Sequence, residues 1–357
     1  MTKQEQILAI LRDVRFPGLD ANIVDLGYVE KIETAGERVH IRLAIATSRA
    51  QAAREIEREA RARLDGAGVA YELETSPGAG HEGRADAAER PVVEDLAPGV
   101  PHKIVVASGK GGVGKSTVAV NLALGLAALG KRVGLLDADI HGPSVPMMLG
   151  VSERRPEAVE GKLIPVEAHG IRAISLGFLT GGLDPIIWRG PLASRAIEQL
   201  LSDVDWGGVD YLVLDLPPGT GDIQISIAQK ANPSGVVIVT TPQDVALIDA
   251  IRGVRMFAKV GIPVLGIVEN MSEFICPHCG KASAIFPHGA LSPELERLGV
   301  PVLARVPLDP AVAQASDEGV PTVVRVPDSP AGRSYRELAA GVARLLEERP
   351  RAGRPRP

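Results

Sequence analysis

The densest chemistry in the sequence lies between Gly109 and Thr117. The run Ser108-Gly109-Lys110-Gly111-Gly112-Val113-Gly114-Lys115-Ser116-Thr117 has the spacing G-x-x-x-x-G-K-[S/T]. Glycines at these places let the backbone curl until successive N–H groups face phosphate oxygens. An apolar run, Ile104–Ala107, precedes the loop, and an Ala/Leu-rich stretch from Ser116 to Leu129 follows it. That is the strand–loop–helix context a phosphate loop requires, and the helix N-terminus adds partial positive charge. Lys115 is expected to reach the β- and γ-oxygens of ATP, and Ser116 to ligate Mg²⁺. Gly109, Gly111, Gly112, Val113, Gly114 and Thr117 complete the cradle. Lys110 is not needed for local phosphate binding and, taken alone, reads as a solvated charge.

Two acidic segments fit the same site. Leu136-Asp137-Ala-Asp139 and Leu214-Asp215-Leu-Pro-Pro-Gly-Thr-Gly-Asp222 each follow an apolar run. Ligands gather outside the carboxyl ends of parallel strands, where both segments fall. Asp215 reads as the carboxylate on Mg²⁺, Asp139 as the group that orients the attacking water, and Asp137 as a support for the metal. Gly219, Thr220 and Gly221 are expected to form a γ-phosphate switch. Asp309, after the run Val302–Val306, is a candidate to line the base.

The chain has two cysteines, and they stand together in Phe274-Ile-Cys276-Pro-His-Cys279-Gly280. The C-x-x-C spacing with Gly after it is that of a metal-binding knuckle. Zinc and iron–sulfur sites commonly need about four ligands, and one chain offers two thiolates, with His278 awkwardly inside the pair. A two-fold symmetric homodimer would bring four thiolates to one centre. Spacing alone leaves zinc and a cluster as alternatives.

The elements that must position these residues form three textures. Residues 1–74 are expected to be a small α+β domain: helical spacing at Ile7, Leu8, Leu11 and Val14, a hairpin around Ala35-Gly36-Glu37, a charged helix capped by Ser48, and a last strand Val69–Leu73. Residues 75–101, rich in Pro, Gly, Ala and charge, read as a flexible linker. Residues 102–347 alternate β-rich apolar runs (Ile104–Ala107, Val133–Leu136, Tyr211–Leu214, Val236–Thr240, Val264–Val268, Val302–Val306) with amphipathic helices. That alternation predicts an α/β domain with a doubly wound, mostly parallel sheet covered on both faces. Residues 348–357, Arg/Pro-rich, read as a disordered tail. With 357 residues and 45% hydrophobic content, the chain has material for two folded domains. A formal charge of −5 gives no reason to expect nucleic acid or an anionic membrane as partner. No signal-peptide pattern or membrane-length apolar run is seen, so a cytoplasmic protein is expected.

Taken in order, the loop with its extra Lys110, Asp137-Ala-Asp139-Ile-His-Gly-Pro-Ser144, Trp188-Arg-Gly-Pro191, Asp215–Asp222, Val268-Glu-Asn270-Met271 and Cys276-x-x-Cys279 resemble the Mrp/ApbC iron–sulfur cluster carrier ATPases. These belong to the deviant Walker A class of MinD and ParA. The resemblance covers roughly 95–347 and implies a slow ATPase whose homodimer holds a labile 4Fe–4S cluster at the cysteine pairs. It further implies apo iron–sulfur proteins as clients, a scaffold or donor that supplies the cluster, and an Asn270 that reads the adenine edge. Lys110 would cross the dimer to the partner's nucleotide, acting as an arginine finger does. The first segment, through Asn22-Ile-Val-Asp25-Leu-Gly27-Tyr-Val29, resembles the small iron–sulfur assembly domain often fused ahead of such ATPases. Where that domain often has a cysteine, this chain has Thr47-Ser-Arg-Ala-Gln51, which favours partner recruitment over thiol chemistry. Two other functions compete: a MinD/ParA-like positioning ATPase, and a zinc-stapled dimeric regulatory ATPase. The Pro-rich end after Arg349 is a poor amphipathic anchor, which counts against the first.

Overall fold

A computed structural model describes residues 3–15, 22–24, 28–35, 38–45, 50–77, 95–139, 142–179, 190–219, 221–276, 278–286, 295 and 297–348. The chain divides into two compact units, Met1–Val92 and Val93–Pro357.

The first unit orders α1 (Lys3–Leu11), β1 (Val29–Ala35), β2 (Arg38–Ile45), α2 (Ala50–Gly66) and β3 (Tyr71–Pro77). Its sheet runs β1-β2-β3, with β1 antiparallel and β3 parallel to β2. Alternation along β2 buries Val39, Ile41 and Leu43 with Ile7, Leu11, Ile56 and Leu64. The other face is charged: His40 lies 3.1 Å from Glu72 and Arg42 3.0 Å from Glu74, directly across the register. Ser48, expected to cap α2, lies outside the described residues.

The expected linker shrinks at both ends. β3 continues to Pro77 because residues up to Ile45 of β2 remain to pair with it. Residues 95–101 belong to the second unit, where Ala97 and Val100 enter the core. The Asp95 carboxylate accepts from the buried Lys103 Nζ at 2.6 Å, and the Ala97 carbonyl accepts from it at 2.9 Å. Residues 78–94 lie outside the described residues, as do 349–357 of the expected tail.

The second unit orders β4 (His102–Ser108), α3 (Lys115–Ala128), β5 (Val133–Asp137), α4 (Val145–Met148), β6 (Glu157–Val159), β7 (Lys162–Ile164), β8 (Val166–Ala168), β9 (Ile171–Ser175), α5 (Leu176–Leu179), α6 (Gly190–Ser202), β10 (Tyr211–Asp215), α7 (Asp222–Ala231), β11 (Gly235–Thr240), α8 (Asp244–Lys259), β12 (Val264–Ile275), β13 (Ala282–Ser283), β14 (Val302–Leu308), α9 (Pro310–Asp317), α10 (Thr322–Arg325) and α11 (Pro330–Glu348). The sheet order is β13-β12-β11-β4-β10-β5-β9-β8, with β14 also paired to β12. All pairings are parallel except those of β8 and β13. Every residue of β5, β10 and β11 is buried, as a strand covered on both faces requires.

Register puts the chemistry in one row. Asp215 ends β10 opposite Val106 of β4 and Asp137 of β5, and Asp137 lies opposite Ser175 of β9. The phosphate loop leaves β4 at the same carboxyl edge. The last helix buries Tyr335, Leu338, Val342 and Leu346, so its apolar face is spent on the core, where it packs on α3. Among the described residues, no helix is long and apolar enough to cross a membrane.

Candidate functional site

The loop between β4 and α3 needs glycine for two reasons, crowding and backbone conformation; a Cβ on Gly109 would lie 2.6 Å from the Asp249 backbone. Gly112 (φ 80°) and Gly114 (φ 82°) adopt the left-handed region. A Cβ on Gly114 would also lie 2.2 Å from Asn270 Nδ2, a separation no side chain tolerates. Asn270 is buried, and its Nδ2 donates to the Val113 carbonyl at 2.9 Å. It braces the loop from β12. Sequence reading assigned this residue an adenine-facing role and had no signal for the brace.

Lys115 opens α3 with its ammonium buried among acids. Its Nζ lies 2.5 Å from Asp215 Oδ1 and 3.4 Å from Asp139 Oδ2, and it donates to Ser116 Oγ at 3.2 Å. Burial pushes the Asp215 carboxyl above its usual range, against the pull of Lys115. Asp215 Oδ2 is buried and has no hydrogen-bond partner among the described residues. An orphaned carboxylate oxygen beside the Ser116 hydroxyl and Asp139 is a donor set of hard oxygens, which fits Mg²⁺.

Asp137 is placed differently from Asp139. It is fully buried, and its oxygens accept from the Asp139 amide (3.1 Å), the Val145 amide (3.3 Å) and the Ser175 hydroxyl (2.9 Å). Burial, and then the Asp215 charge, push its carboxyl up to about 7, while the Asp139 amide and Ser175 pull it down. Ser175 was missed in the sequence; its strand, Ile-Arg-Ala-Ile-Ser after Gly170, is short and interrupted by Arg172.

Of the expected switch, Gly219 donates its amide to the Ser108 carbonyl at 3.0 Å with φ 113°, tying that loop to the end of β4. Thr220 lies outside the described residues, as do Ile140, His141, Trp188 and Arg189 of the family-like motifs. Lys110 Nζ lies 3.5 Å from Gln243 Oε1, whereas Lys115 is the lysine that meets the acidic cluster. Asp309 caps α9, accepting from the Ala311 amide at 2.9 Å, which accounts for its position without a base.

The cysteines lie just past β12. Strands β12 and β13 form a short antiparallel pair, Phe274 opposite Ser283 and Ile275 opposite Ala282. The turn is closed by Cys276 N–H to the Lys281 carbonyl (3.0 Å) and Gly280 N–H to the Cys276 carbonyl (2.8 Å). Cys279 is exposed and Cys276 half-buried, both as free thiols. Backbone amides of Cys279 and His278 hold the Cys276 thiol below its usual range, favouring the thiolate that soft metals take. No third His, Cys, Asp or Glu joins the pair among the described residues.

Residues 99–343 match the family model described as NUBPL iron-transfer P-loop NTPase, and residues 4–69 match that of an iron–sulfur cluster assembly protein. The chain belongs to this iron-transfer P-loop NTPase family. It is 43% identical over 353 residues to the iron–sulfur cluster carrier protein of Haemophilus influenzae, covering 96% of this chain and 92% of the relative. The carrier protein of Deinococcus radiodurans is 42% identical, covering 97% and 96%. Among solved structures, a nucleotide-binding protein from Archaeoglobus fulgidus in complex with ADP is 39% identical with a TM-score of 0.54, covering 62% of this chain and 87% of that one. The Pyrococcus furiosus cell division ATPase MinD, 23% identical with a TM-score of 0.52, covers 69% of this chain and 100% of its own, and shares the fold. The P-loop NTPase domain and the small domain ahead of it are therefore those the sequence pattern described.

Proposed function

We propose that this protein is an ATP-hydrolysing iron–sulfur cluster carrier, a homodimer that holds a 4Fe–4S cluster between two cysteine pairs and passes it to apoproteins. The observation that carries the reading is the two-thiol knuckle of half-buried Cys276 and exposed Cys279, just past the end of the strand that braces the phosphate loop. Two thiols per chain suit a shared site, since two-fold symmetry brings the same patch from each copy together. Exposure suits a cargo that must leave.

In this reading Gly109–Thr117 wrap the triphosphate of ATP, and Lys115 leaves the carboxylates to hold the β- and γ-oxygens. Asp215 and Ser116 would hold Mg²⁺, with Asp137 behind them; when bound, the ion neutralises phosphate charge. Asp139 orients the attacking water, Asn270 faces the adenine while bracing the loop, and Lys110 reaches the partner's γ-phosphate. Clients are apo iron–sulfur proteins, supplied through a scaffold or donor, in the cytoplasm, with neither nucleic acid nor membrane as partner.

Anaerobic reconstitution with iron and sulfide tests the cargo. The expected product is a brown dimer with about four irons per two chains and visible iron–sulfur absorption, lost in both C276A and C279A. A colourless protein with about one zinc per dimer, coordinated by four sulfurs, would overturn the carrier reading in favour of a zinc-stapled regulatory ATPase.

A further inference from the structure

Ser175 is buried completely at the end of β9, opposite Asp137 in the parallel register. Its hydroxyl oxygen accepts from the Gly177 amide at 3.0 Å. Its proton goes to Asp137 Oδ2 at 2.9 Å. Asp137 passes this restraint on. Its other oxygen accepts from the Asp139 amide, and Oδ2 also takes the Val145 amide at the start of α4. A single buried carboxylate thus ties together the segment that carries Asp139, the first turn of α4 and the end of β9. Gly177 adds a second touch: a Cβ there would lie 3.1 Å from Pro143, within the segment between Asp139 and Val145.

We propose that Ser175 is a positioning residue for ATP turnover, acting through Asp137 to fix the backbone that carries Asp139. This rests on the reading of Asp139 as the water-orienting carboxylate. Ser175 touches no phosphate; it acts by holding its neighbour. A rotating Asp137 would leave the Asp139 amide without a fixed acceptor, and the Asp139 carboxylate, now 3.4 Å from Lys115 Nζ, would wander over the distances that decide in-line attack. Nucleotide affinity comes from the loop amides and Lys115, which Ser175 does not contact. Its effect therefore belongs in turnover, not in binding.

The test is steady-state ATP hydrolysis with ADP affinity and the thermal midpoint measured alongside. The variants are S175A, S175T, D139N and the double variant S175A/D139N. S175A is expected to lower kcat about tenfold, the loss typical of one buried hydrogen bond, with KM for ATP and ADP affinity within about twofold. S175T, which keeps the hydroxyl, is expected to recover most of that loss. S175A is expected to add nothing to D139N, because both act on one group. Wild-type kcat in S175A beside a slowed D139N overturns the Ser175 assignment alone, as does a loss confined to KM or a failure of S175T to rescue. D139N turning over at the wild-type rate overturns the reading of Asp139 beneath it. Should S175A not fold, an S175T kcat as low as that of D139N also overturns the assignment.

Discussion

Two lysines, two and seven positions past the end of β4, meet very different surroundings. The Lys115 side chain is 6% exposed and bonded to Asp215 and Asp139, so its charge is already committed to the site that must receive phosphate. Lys110 stands at the loop's entrance with an amide oxygen of Gln243 as its near neighbour. Lys115→Ala is expected to remove most ATP affinity, because the buried acids then face the phosphates uncompensated. Lys110→Ala is expected to hold ATP affinity within about threefold and to lower turnover at least about tenfold, as loss of a charge acting in trans does. Titration of ATP binding and measurement of kcat on both variants decide it; unchanged hydrolysis in Lys110→Ala ends the trans-lysine idea. Asp137 allows a second expectation. Its folded carboxyl is raised to about 7 from 3.8, so the folded state binds the extra proton between those values. A raised carboxyl contributes stability at low pH and loses it as pH rises through the folded value. The thermal midpoint without Mg²⁺ should therefore fall from about pH 5 to pH 8, and less steeply in D137N; parallel slopes would refute this.

Strand β12 is the element that joins the two chemistries. It braces the loop at Asn270, turns at Met271 with φ 57°, shifts its pairing with β14 between Asn270 and Phe274, and runs on to the cysteine knuckle. A left-handed residue other than glycine is strained, and a shifted ladder is where a strand bends. ATP pressing on Val113 is therefore expected to move the knuckle. Alkylation of Cys276 and Cys279 in the metal-free protein should change rate at least about twofold when ATP and Mg²⁺ are added, and the change should vanish in N270A. Equal rates with and without nucleotide would dissociate the two sites. The same strand shows where sequence reading stops. Its buried run Val264–Val268 is plain, because continuous β-branched residues mark a covered strand. Its continuation to Ile275 is hidden by Glu, Asn and Ser, which a strand accepts only because the fold gives them partners. Strand β9, with Ser175, was missed for a like reason, since five residues between a glycine turn and a short helix carry no period. The loop, both acidic strand ends and the cysteines were legible because their spacing is local. The links among them, Asn270 to Val113 and Ser175 to Asp137, span 157 and 38 residues, and no local pattern encodes them.

Each of the two units of the molecule has its own apolar core, so the chemistry of the second is expected to survive without the first. The second core begins before its first strand. Lys103 is 4% exposed at its side chain, and its ammonium is held by Asp95 and the Ala97 carbonyl, which places the natural cut ahead of Asp95. A chain beginning at Val93 should bind nucleotide and assemble metal at the knuckle as the whole protein does, with any loss confined to delivery to clients. A chain beginning at Pro98 leaves a buried ammonium without its carboxylate. Breaking a buried pair by removing one partner costs about 3–5 kcal/mol, and the lower end applies here because the Asp95 side chain is 26% exposed. The full-length variant D95N isolates the same effect without shortening the chain. Denaturant titration should place D95N below the full-length protein by about 3 kcal/mol, and the Pro98 chain below the Val93 chain by at least as much, since it also loses Ala97 and its carbonyl. If the Pro98 chain were as stable as the Val93 chain, Lys103 would have found water or another acceptor, and residues 95–97 would be linker after all. If instead the Val93 chain failed to bind ATP, the first unit would be part of the nucleotide machinery, and recruitment of partners would no longer suffice to explain it.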